Sequence, residues 1–142
     1  MTIAGNRVMS GTHGQVWVNG ELWMDITAAQ AKYAYNKEEV AMCGNMIVDS
    51  KVNNVKGTGS LSVVKVYTRN KSRADSILEG KDERAVVVMK LDDPDAFGAE
   101  RVALYDVSFD EETIMDFQAG NISKATYPFT FGRREWLDVV NA

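Results

Sequence analysis

Apolar and polar residues alternate along much of the chain, as they do in β-strands that bury one face. The alternation is clearest in residues 100–109 and 121–131, and residues 60–68 and 84–91 have the apolar, β-branched character of buried strands. Residues 26–40 alternate loosely, but they place tyrosine and alanine side chains on one face, which favours a long strand. The pattern therefore predicts a mainly β protein.

Turn signals separate these strands. The pair Asn19-Gly20 lies between two apolar stretches and predicts a tight hairpin, because both central residues of a type I′ turn need positive φ. Asp92–Asp95 predicts a turn with exposed carboxylates. Pro128 predicts an edge position or a break in the last strand, because proline offers no N–H to a neighbouring strand.

One segment has the periodicity of a helix. Its apolar residues fall on one face over Ser72–Glu79, Ser72 and Asp75 approach a capping box, and Gly80 supplies a stop signal. Residues 110–118 fit either a turn of helix or an edge strand. Many strands with one helix between them predict two packed antiparallel sheets, as a sandwich or a barrel, with a short flanking helix and a single domain over residues 1–142.

The segment from Met42 to Gly59 differs from its surroundings, because it combines glycine and asparagine with methionine, isoleucine and valine. It is predicted to be a long loop, with Gly57 and Gly59 serving a turn. Loops of this length are unusual in a compact domain unless they are functional or pack on something outside it. We expect another subunit to cover its apolar side chains.

The net charge of −4 argues against a protein that grips nucleic-acid phosphates. The charge is unevenly distributed, since Leu91–Asp116 holds nine acidic residues against the single base Arg101. Two interpretations of this stretch remain open: a solvated face, or a surface that repels polyanions or meets a basic partner.

The usual chemistry of active sites is scarce in this sequence. Cys43 is the only cysteine in the sequence, which excludes an internal disulfide and a cysteine-rich metal site. His13 is the only histidine, which makes a Ser-His-Asp triad an unfavourable hypothesis. The acidic turn at residues 92–95 lacks the spacing of a calcium loop. Residues 110–116 offer paired carboxylates for glycoside hydrolysis, but acidic pairs in turns are more often only solvated. No catalytic, cofactor or metal site is predicted.

Two further predictions concern location and ligands. The N-terminus lacks the pattern of a signal peptide, and the longest apolar run, Ala85–Met89, is too short to span a bilayer, so we expect a cytoplasmic protein without a membrane anchor. The tryptophans Trp17, Trp23 and Trp136 are expected in the core or in a subunit interface. If they instead stack on a sugar or base, the protein is a monomeric small-molecule or glycan-binding β-barrel.

The N-terminal sequence resembles the N-terminal sequences of a known protein family. Ser10-Gly11-Thr12, Gly14–Trp17 and the turn Asn19–Glu21 are similar to the myovirus tail tube family typified by the PBSX-type defective prophage. Asn36–Val40 and the glycines of Gly57–Gly59 before a strand resemble the same family. The specific motifs lie in about the first 60 residues.

This resemblance implies a structural subunit of the inner tube of a contractile phage tail or a phage-derived particle such as a bacteriocin. In that family six subunits form a ring, their inner sheets join into one barrel, and the rings stack inside a contractile sheath. Implied partners are other copies of the chain, the sheath protein, and baseplate and tube-terminator proteins, with DNA passing through the lumen without specific binding. We therefore expect assembly to take place in the cytoplasm of the bacterial host.

The resemblance also implies that the long loop after the second strand reaches neighbouring subunits and the next ring. This segment coincides with the anomalous residues 42–58. The predicted subunit-interface residues are Met42, Asn45, Met46, Ile47, Val48, Lys51, Val52, Asn54, Val55 and Lys56.

Overall fold

A computed structural model describes residues 2–69 and 71–141. This part of the chain contains eight β-strands, one α-helix and two short 3-10 turns, Gly5–Arg7 and Gly11–His13. The strands and the helix are β1 (Gly14–Val18), β2 (Glu21–Leu22), β3 (Ile26–Val40), β4 (Asp49–Val64), α1 (Lys71–Leu78), β5 (Ala85–Leu91), β6 (Glu100–Phe109), β7 (Lys124–Phe131) and β8 (Arg133–Asp138).

The strands form one antiparallel network in the order β2-β1-β5-β6-β7-β4-β3, and β8 is added to β6. Strand β6 joins the two parts of the network. Its first part pairs with β5 and β8, and its last residues, Ser108 and Phe109, pair with β7. Between them, Asp106 has a φ of 58° near a register shift of the β5–β6 pair. The mainly β prediction is confirmed, although the strands are continuous through β6 rather than divided into two separate sheets.

The core lies between the two parts of this network. Aromatic residues form its centre: the Trp23 ring lies 5.7 Å from that of Tyr127, and the Phe109 ring lies 6.0 Å from that of Phe129. Leu61, Val63, Val87, Leu104, Val107 and Phe129 are its largest fully buried side chains. Burying aromatic side chains of this size dominates the energetics of a small core.

The predicted hairpin between β1 and β2 is confirmed. Asn19 and Gly20 have φ values of 50° and 82°, as a type I′ turn requires. The Asn19 side chain also accepts a hydrogen bond from the Val86 backbone N–H at 2.9 Å. The turn therefore ties the hairpin to β5 in addition to reversing the chain.

The predicted helix is also confirmed, with one local correction. Helix α1 begins at Lys71, so Ser72 lies inside its first turn and does not act as the cap that the sequence indicated. Gly80 has a φ of 90°, and its N–H binds the carbonyl of Ile77 just after the helix ends. Glycine suits this left-handed position because it has no Cβ.

Several boundaries differ from those predicted. Strand β4 begins at Asp49 and ends at Val64, so it includes residues that the sequence assigned to a loop and stops before Thr68. The first strand residue of β7 is Lys124. Residues 111–118 contain neither a helix nor a strand, although the sequence allowed both.

Pro128 lies where the ladder between β6 and β7 ends. Its carbonyl accepts a hydrogen bond from the Asp110 N–H at 2.8 Å, just after the last paired residue of β6, Phe109. On its other side β7 pairs with β4 along its whole length. The prediction of an edge position or a break is therefore wrong, because β7 lies between β6 and β4 and runs unbroken through Pro128. The strand tolerates the proline because the ladder to β6, which would need its N–H, stops at this point.

A buried ion pair connects the start of β3 to the segment that leads into α1. The Arg69 guanidinium contacts the Asp25 carboxylate, and only 3% and 6% of the two side chains are exposed. The rings of Trp23 and Tyr67 lie 4.3 Å and 4.1 Å from the guanidinium carbon. Burial lowers the pKa of Arg69, but an arginine stays charged at any physiological pH.

Candidate subunit interface

The hairpin formed by β3 and β4 projects from the rest of the sheet. The two strands pair from Ile26 opposite Val63 to Val40 opposite Asp49. Strand β7 pairs with β4 only from Gly57 onward. Within the described residues, the outer half of the hairpin has no further strand on either side, and it extends for about 20 Å at the usual rise per residue. Two rows of backbone N–H and C=O groups are therefore free to bind another chain.

One face of this outer half continues the face that covers the core. Leu61 and Val63 are buried, and alternation along β4 puts Val55 on the same side. Val55 lies opposite Tyr35, and after a register shift Val52 lies opposite Lys37. Tyr35, Val52 and Val55 are about half exposed or more. An apolar face thus extends past the end of the core that would cover it.

The opposite face of the hairpin is polar. Its cross-strand pairs include Asn36 with Asn54 and Glu38 with Lys51, the latter a pair of opposite charges. Ala34 lies opposite Lys56, closer to the body of the sheet. The two faces therefore differ in chemistry: Tyr35, Val52 and Val55 lie on one, and the other is mostly polar, with Ala34 and Val40 as its apolar residues.

The tip of the hairpin, residues 41–48, is an exposed loop. Gly44 has a φ of 79°, and the Asn45 side chain accepts a hydrogen bond from the Ile47 N–H at 3.0 Å. This turn directs apolar side chains into solvent, with 98% of Met46 and 77% of Ile47 exposed. Met42 and Val48 are exposed beside them.

The structure divides the ten predicted interface residues into two groups. Met42, Asn45, Met46, Ile47 and Val48 lie in the tip, and Lys51, Val52, Asn54, Val55 and Lys56 lie in β4. The expectation of a loop from Met42 to Gly59 is wrong for residues 49–59, which are strand. The sequence pattern did not indicate this strand, because every residue from 34 to 56 is exposed and burial therefore imposes no regular alternation of apolar and polar residues.

Gly57 and Gly59 serve close packing rather than the turn that the sequence indicated. Both lie inside β4. A Cβ on Gly59 would come within 2.6 Å of the Phe129 ring and still closer to the carbonyl oxygen of Gln30. A Cβ on Gly57 would come within 2.7 Å of the Phe131 carbonyl oxygen. Absent side chains thus let two aromatic rings pack against β4 where the hairpin leaves the core.

Hydrogen bonds from Tyr33 fix the base of the hairpin. Its hydroxyl donates to the Gly132 carbonyl at 3.2 Å and accepts from the Arg134 N–H at 3.1 Å. The Tyr33 ring also packs 5.2 Å from the ring of Phe131. Two hydrogen bonds and a ring contact therefore attach the base of the projecting half to the segment around Phe131–Arg134.

Asp93 holds the N-terminal segment against the turn before β6. Its buried carboxylate accepts hydrogen bonds from the Ser10 N–H at 2.9 Å and the Asp95 N–H at 3.0 Å. The Asp95 N–H, then the Ser10 N–H, lower the pKa of Asp93; burial opposes them and His13 adds a smaller lowering. The expectation that this turn exposes all its carboxylates is therefore wrong for Asp93.

The remaining candidates from the sequence are dispersed. Cys43 is exposed in the hairpin tip, and His13 Nε2 lies 3.9 Å from Asp93 Oδ1. Trp23 is buried, whereas Trp136 is exposed in β8. Among the described residues, no three histidine, cysteine or acidic side chains form a group that could hold a metal ion. In the same part of the chain, no helix has the length and apolar character needed to cross a membrane.

The described part of the chain is thus a mainly β fold from which one hairpin projects with free strand edges. The chain belongs to the family of phage tail tube proteins, whose model matches residues 1–138. It is 30% identical to the phage-like element PBSX protein XkdM of Bacillus subtilis (strain 168) over 134 residues, which cover 92% of this chain and 91% of that protein.

The fold is similar to those of chains in two solved assemblies. One is the PVC sheath/tube terminator of an extracellular contractile injection system in its extended state, with a TM-score of 0.77 at 12% identity, covering 95% of this chain and 100% of that chain. The other is the PVC sheath–tube complex in the extended state, with a TM-score of 0.69 at 13% identity, covering 93% of each chain.

Proposed function

We propose that this protein is a non-catalytic subunit of the inner tube of a contractile phage tail or phage-tail-like particle. Copies assemble into hexameric rings, and the rings stack into a tube. The observation that carries this proposal is the outer half of the β3–β4 hairpin, with its free edges and its uncovered apolar face. Membership in the tail tube family supports it.

The geometry of the hairpin supports assembly in two directions. The free edge of β3 allows a neighbouring strand to add laterally, and a contact between two different edges continues around a ring until it closes. The tip at residues 41–48, with its exposed apolar side chains, projects beyond the strands and suits a contact with the next ring. The number of six subunits comes from the family resemblance, not from this geometry.

The proposed partners follow from the same role. They are other copies of the chain, the sheath protein, and the baseplate and terminator proteins at the ends of the tube. The structural neighbours come from sheath–tube and sheath/tube-terminator complexes, which supports these partners. Assembly would take place in the bacterial cytoplasm, and DNA would pass through the lumen without specific binding.

The alternative of a monomeric glycan-binding barrel gains no support from the tryptophans. Trp23 is buried beneath the Arg69 guanidinium and is not available to stack on a sugar. Trp17 is partly buried in β1, and Trp136 lies in β8, which strands β5 and β6 separate from β1.

Negative-stain electron microscopy of a shortened hairpin tests the proposal. Because Tyr33 and Gly57 lie directly opposite each other, an Asn-Gly turn can replace residues 34–56 and leave the core and the base of the hairpin in place. We expect rings or tubes from the natural protein and dispersed, folded subunits from the variant, with folding checked by near-ultraviolet circular dichroism. Rings from the shortened variant, or dispersed subunits from both proteins over a range of salt and protein concentrations, would refute it.

A further inference from the structure

Three sulfur-containing side chains lie together at the tip of the β3–β4 hairpin. Met42, Cys43 and Met46 occur within five consecutive residues. All three are exposed, and Met46, at 98%, is the most exposed large apolar side chain among the described residues. The neighbouring Ile47 and Val48 hold no group that a peroxide attacks. The sulfur atoms of the tip are therefore open to small oxidants from solvent.

The backbone of the tip holds Met46 in this exposed position. The Asn45 N–H donates to the Met42 carbonyl at 3.3 Å, and the Asn45 side chain accepts from the Ile47 N–H at 3.0 Å. Gly44 has a φ of 79°, a conformation that glycine adopts without strain. The exposure of Met46 thus belongs to a hydrogen-bonded turn, so the subunit needs no rearrangement before an oxidant reaches the sulfur.

The two kinds of sulfur in the tip differ in what their oxidation requires. A thiol reacts as the thiolate, and a nearby base or cation favours the loss of its proton. Residues 41–48 contain no charged side chain that could assist Cys43 in this way. A thioether needs no proton loss, because its sulfur lone pair is free, and its oxidation gives methionine sulfoxide. The methionines are therefore the side chains of the tip that react without assistance.

We propose that Met46 is a modification site, and that its oxidation by a peroxide hinders assembly of the tube. The sulfur lone pair attacks one oxygen of hydrogen peroxide, so an S–O bond forms as the O–O bond breaks. The released hydroxide takes the proton from the new S–OH group. The sulfur is thereby oxidised by two electrons to the sulfoxide, and the peroxide is reduced to water. The inference rests on the proposed tube function, in which the tip contacts another copy.

The sulfoxide changes the character of the tip at the point of contact. Met46 presents apolar surface beside Ile47 and Val48, and covering that surface stabilises a contact. The S=O group is polar, so burying it in an apolar contact without a hydrogen-bond donor is unfavourable. The oxidised subunit therefore assembles less readily. In an assembled particle the same contact shields the sulfur, so the modification acts on the dispersed subunit.

Peptide mass spectrometry of dispersed, peroxide-treated subunits tests the chemical step. The protein carries Cys43→Ser, so that disulfides between tips do not form. We expect Met46 to gain one oxygen on the order of tenfold faster than Met89, which packs against the core, because susceptibility follows exposure. Equal rates for the two methionines would overturn the assignment of Met46.

Sedimentation velocity measures the effect of oxidation on assembly. The readout is the ratio of the concentrations needed for assembly after and before treatment, so any effect of a substitution itself cancels. Treatment should raise this concentration on the order of tenfold. Met46→Leu keeps an apolar side chain without sulfur and should bring the ratio close to one. A ratio in Met46→Leu as large as in the parent protein would overturn the inference.

Met24 provides the matched control. It is 86% exposed and lies outside the hairpin, before β3 begins. Met24→Leu therefore removes an equally accessible sulfur without touching the tip, and it should keep the full sensitivity of assembly to peroxide. If Met24→Leu abolishes this sensitivity and Met46→Leu does not, the site is wrongly placed.

Electron microscopy of the same samples separates this inference from the proposed function. Rings are expected from the untreated protein, and few or none at the same concentration after oxidation. Equal numbers of rings from both samples would overturn the inference and leave the tube function standing. Absence of rings from the untreated protein over a range of salt and protein concentrations would refute the tube function, and the inference with it.

Discussion

Tyr35 and Val55 lie directly opposite each other in the β3–β4 hairpin, on the face that covers the core nearer its base, yet 64% of Tyr35 and 48% of Val55 are exposed. The face of the sheet that covers the core therefore continues, with apolar side chains, past the point where the core ends. A folded monomer covers these apolar groups only in part, so much of their surface remains in water. They become useful when a neighbouring subunit supplies the missing side of the interface.

Replacing Val52 and Val55 with serine should weaken assembly without unfolding the subunit. About half of each valine is exposed in the isolated subunit, so covering that half contributes about 0.7–1.5 kcal/mol per valine, and the concentration needed for assembly should rise on the order of tenfold or more. Sedimentation velocity measures this concentration. Asn54→Ser on the opposite face is the matched control and should assemble as the natural protein does. Equal assembly of all these variants would mean that this face is not buried in the tube.

Gly59→Ala should destabilise the fold itself. The added Cβ would collide with the Phe129 ring and the Gln30 backbone, and overpacking of this kind costs about 1–3 kcal/mol. Urea unfolding followed by tryptophan fluorescence measures the loss. Gly11→Ala is the control, because nothing lies within 4 Å of its Cβ position. Unchanged stability of Gly59→Ala would contradict the packing described for β4.

Asp25→Ala should destabilise the subunit more than the paired change of Asp25→Leu with Arg69→Met. The single change leaves the buried Arg69 guanidinium without its counter-ion, and breaking such a pair costs about 3–5 kcal/mol. The double change replaces both charges with apolar groups. Urea unfolding compares the two variants, and a single variant as stable as the double one would show that the pair is not effectively buried.

Asp93 should make stability depend on pH in the acid range. Its pKa is lowered in the folded state, so its contribution is fully present above the unfolded pKa of about 3.9 and is lost as the pH falls through the folded pKa. Asp93→Asn should therefore melt at a lower temperature near neutral pH, and the difference from the natural protein should narrow below about pH 4.

Thermal melts between neutral and acid pH measure this effect. Asp92→Asn is the neighbouring control, since that carboxylate is exposed and lies 3.6 Å from the ammonium nitrogen of Lys90. We expect little change from it, because exposed ion pairs contribute little. A constant difference between Asp93→Asn and the natural protein at every pH would exclude the ionised carboxylate as the source.

Local signals in the sequence predicted much of the fold. Asn19-Gly20 and the helix at residues 72–79 were identified from turn chemistry and periodicity, which act over a few residues. Strand β8 was not predicted, because all its residues are exposed and it is defined by pairing with β6, a contact between distant segments. The outer half of β4 was not predicted for the same reason, since its residues are exposed. The sequence therefore indicated which residues form the candidate interface, but not that they form a hairpin with two different faces.

Amide hydrogen exchange on assembled and dispersed protein tests the central claim most directly. The claim is that the outer half of the β3–β4 hairpin forms the contacts between subunits. Assembly should slow exchange in residues 34–40 and 49–56, whose free edges and exposed surfaces leave them open in the isolated subunit. Exchange in these residues that stays as fast in the assembled particle as in the dispersed subunit would contradict the claim.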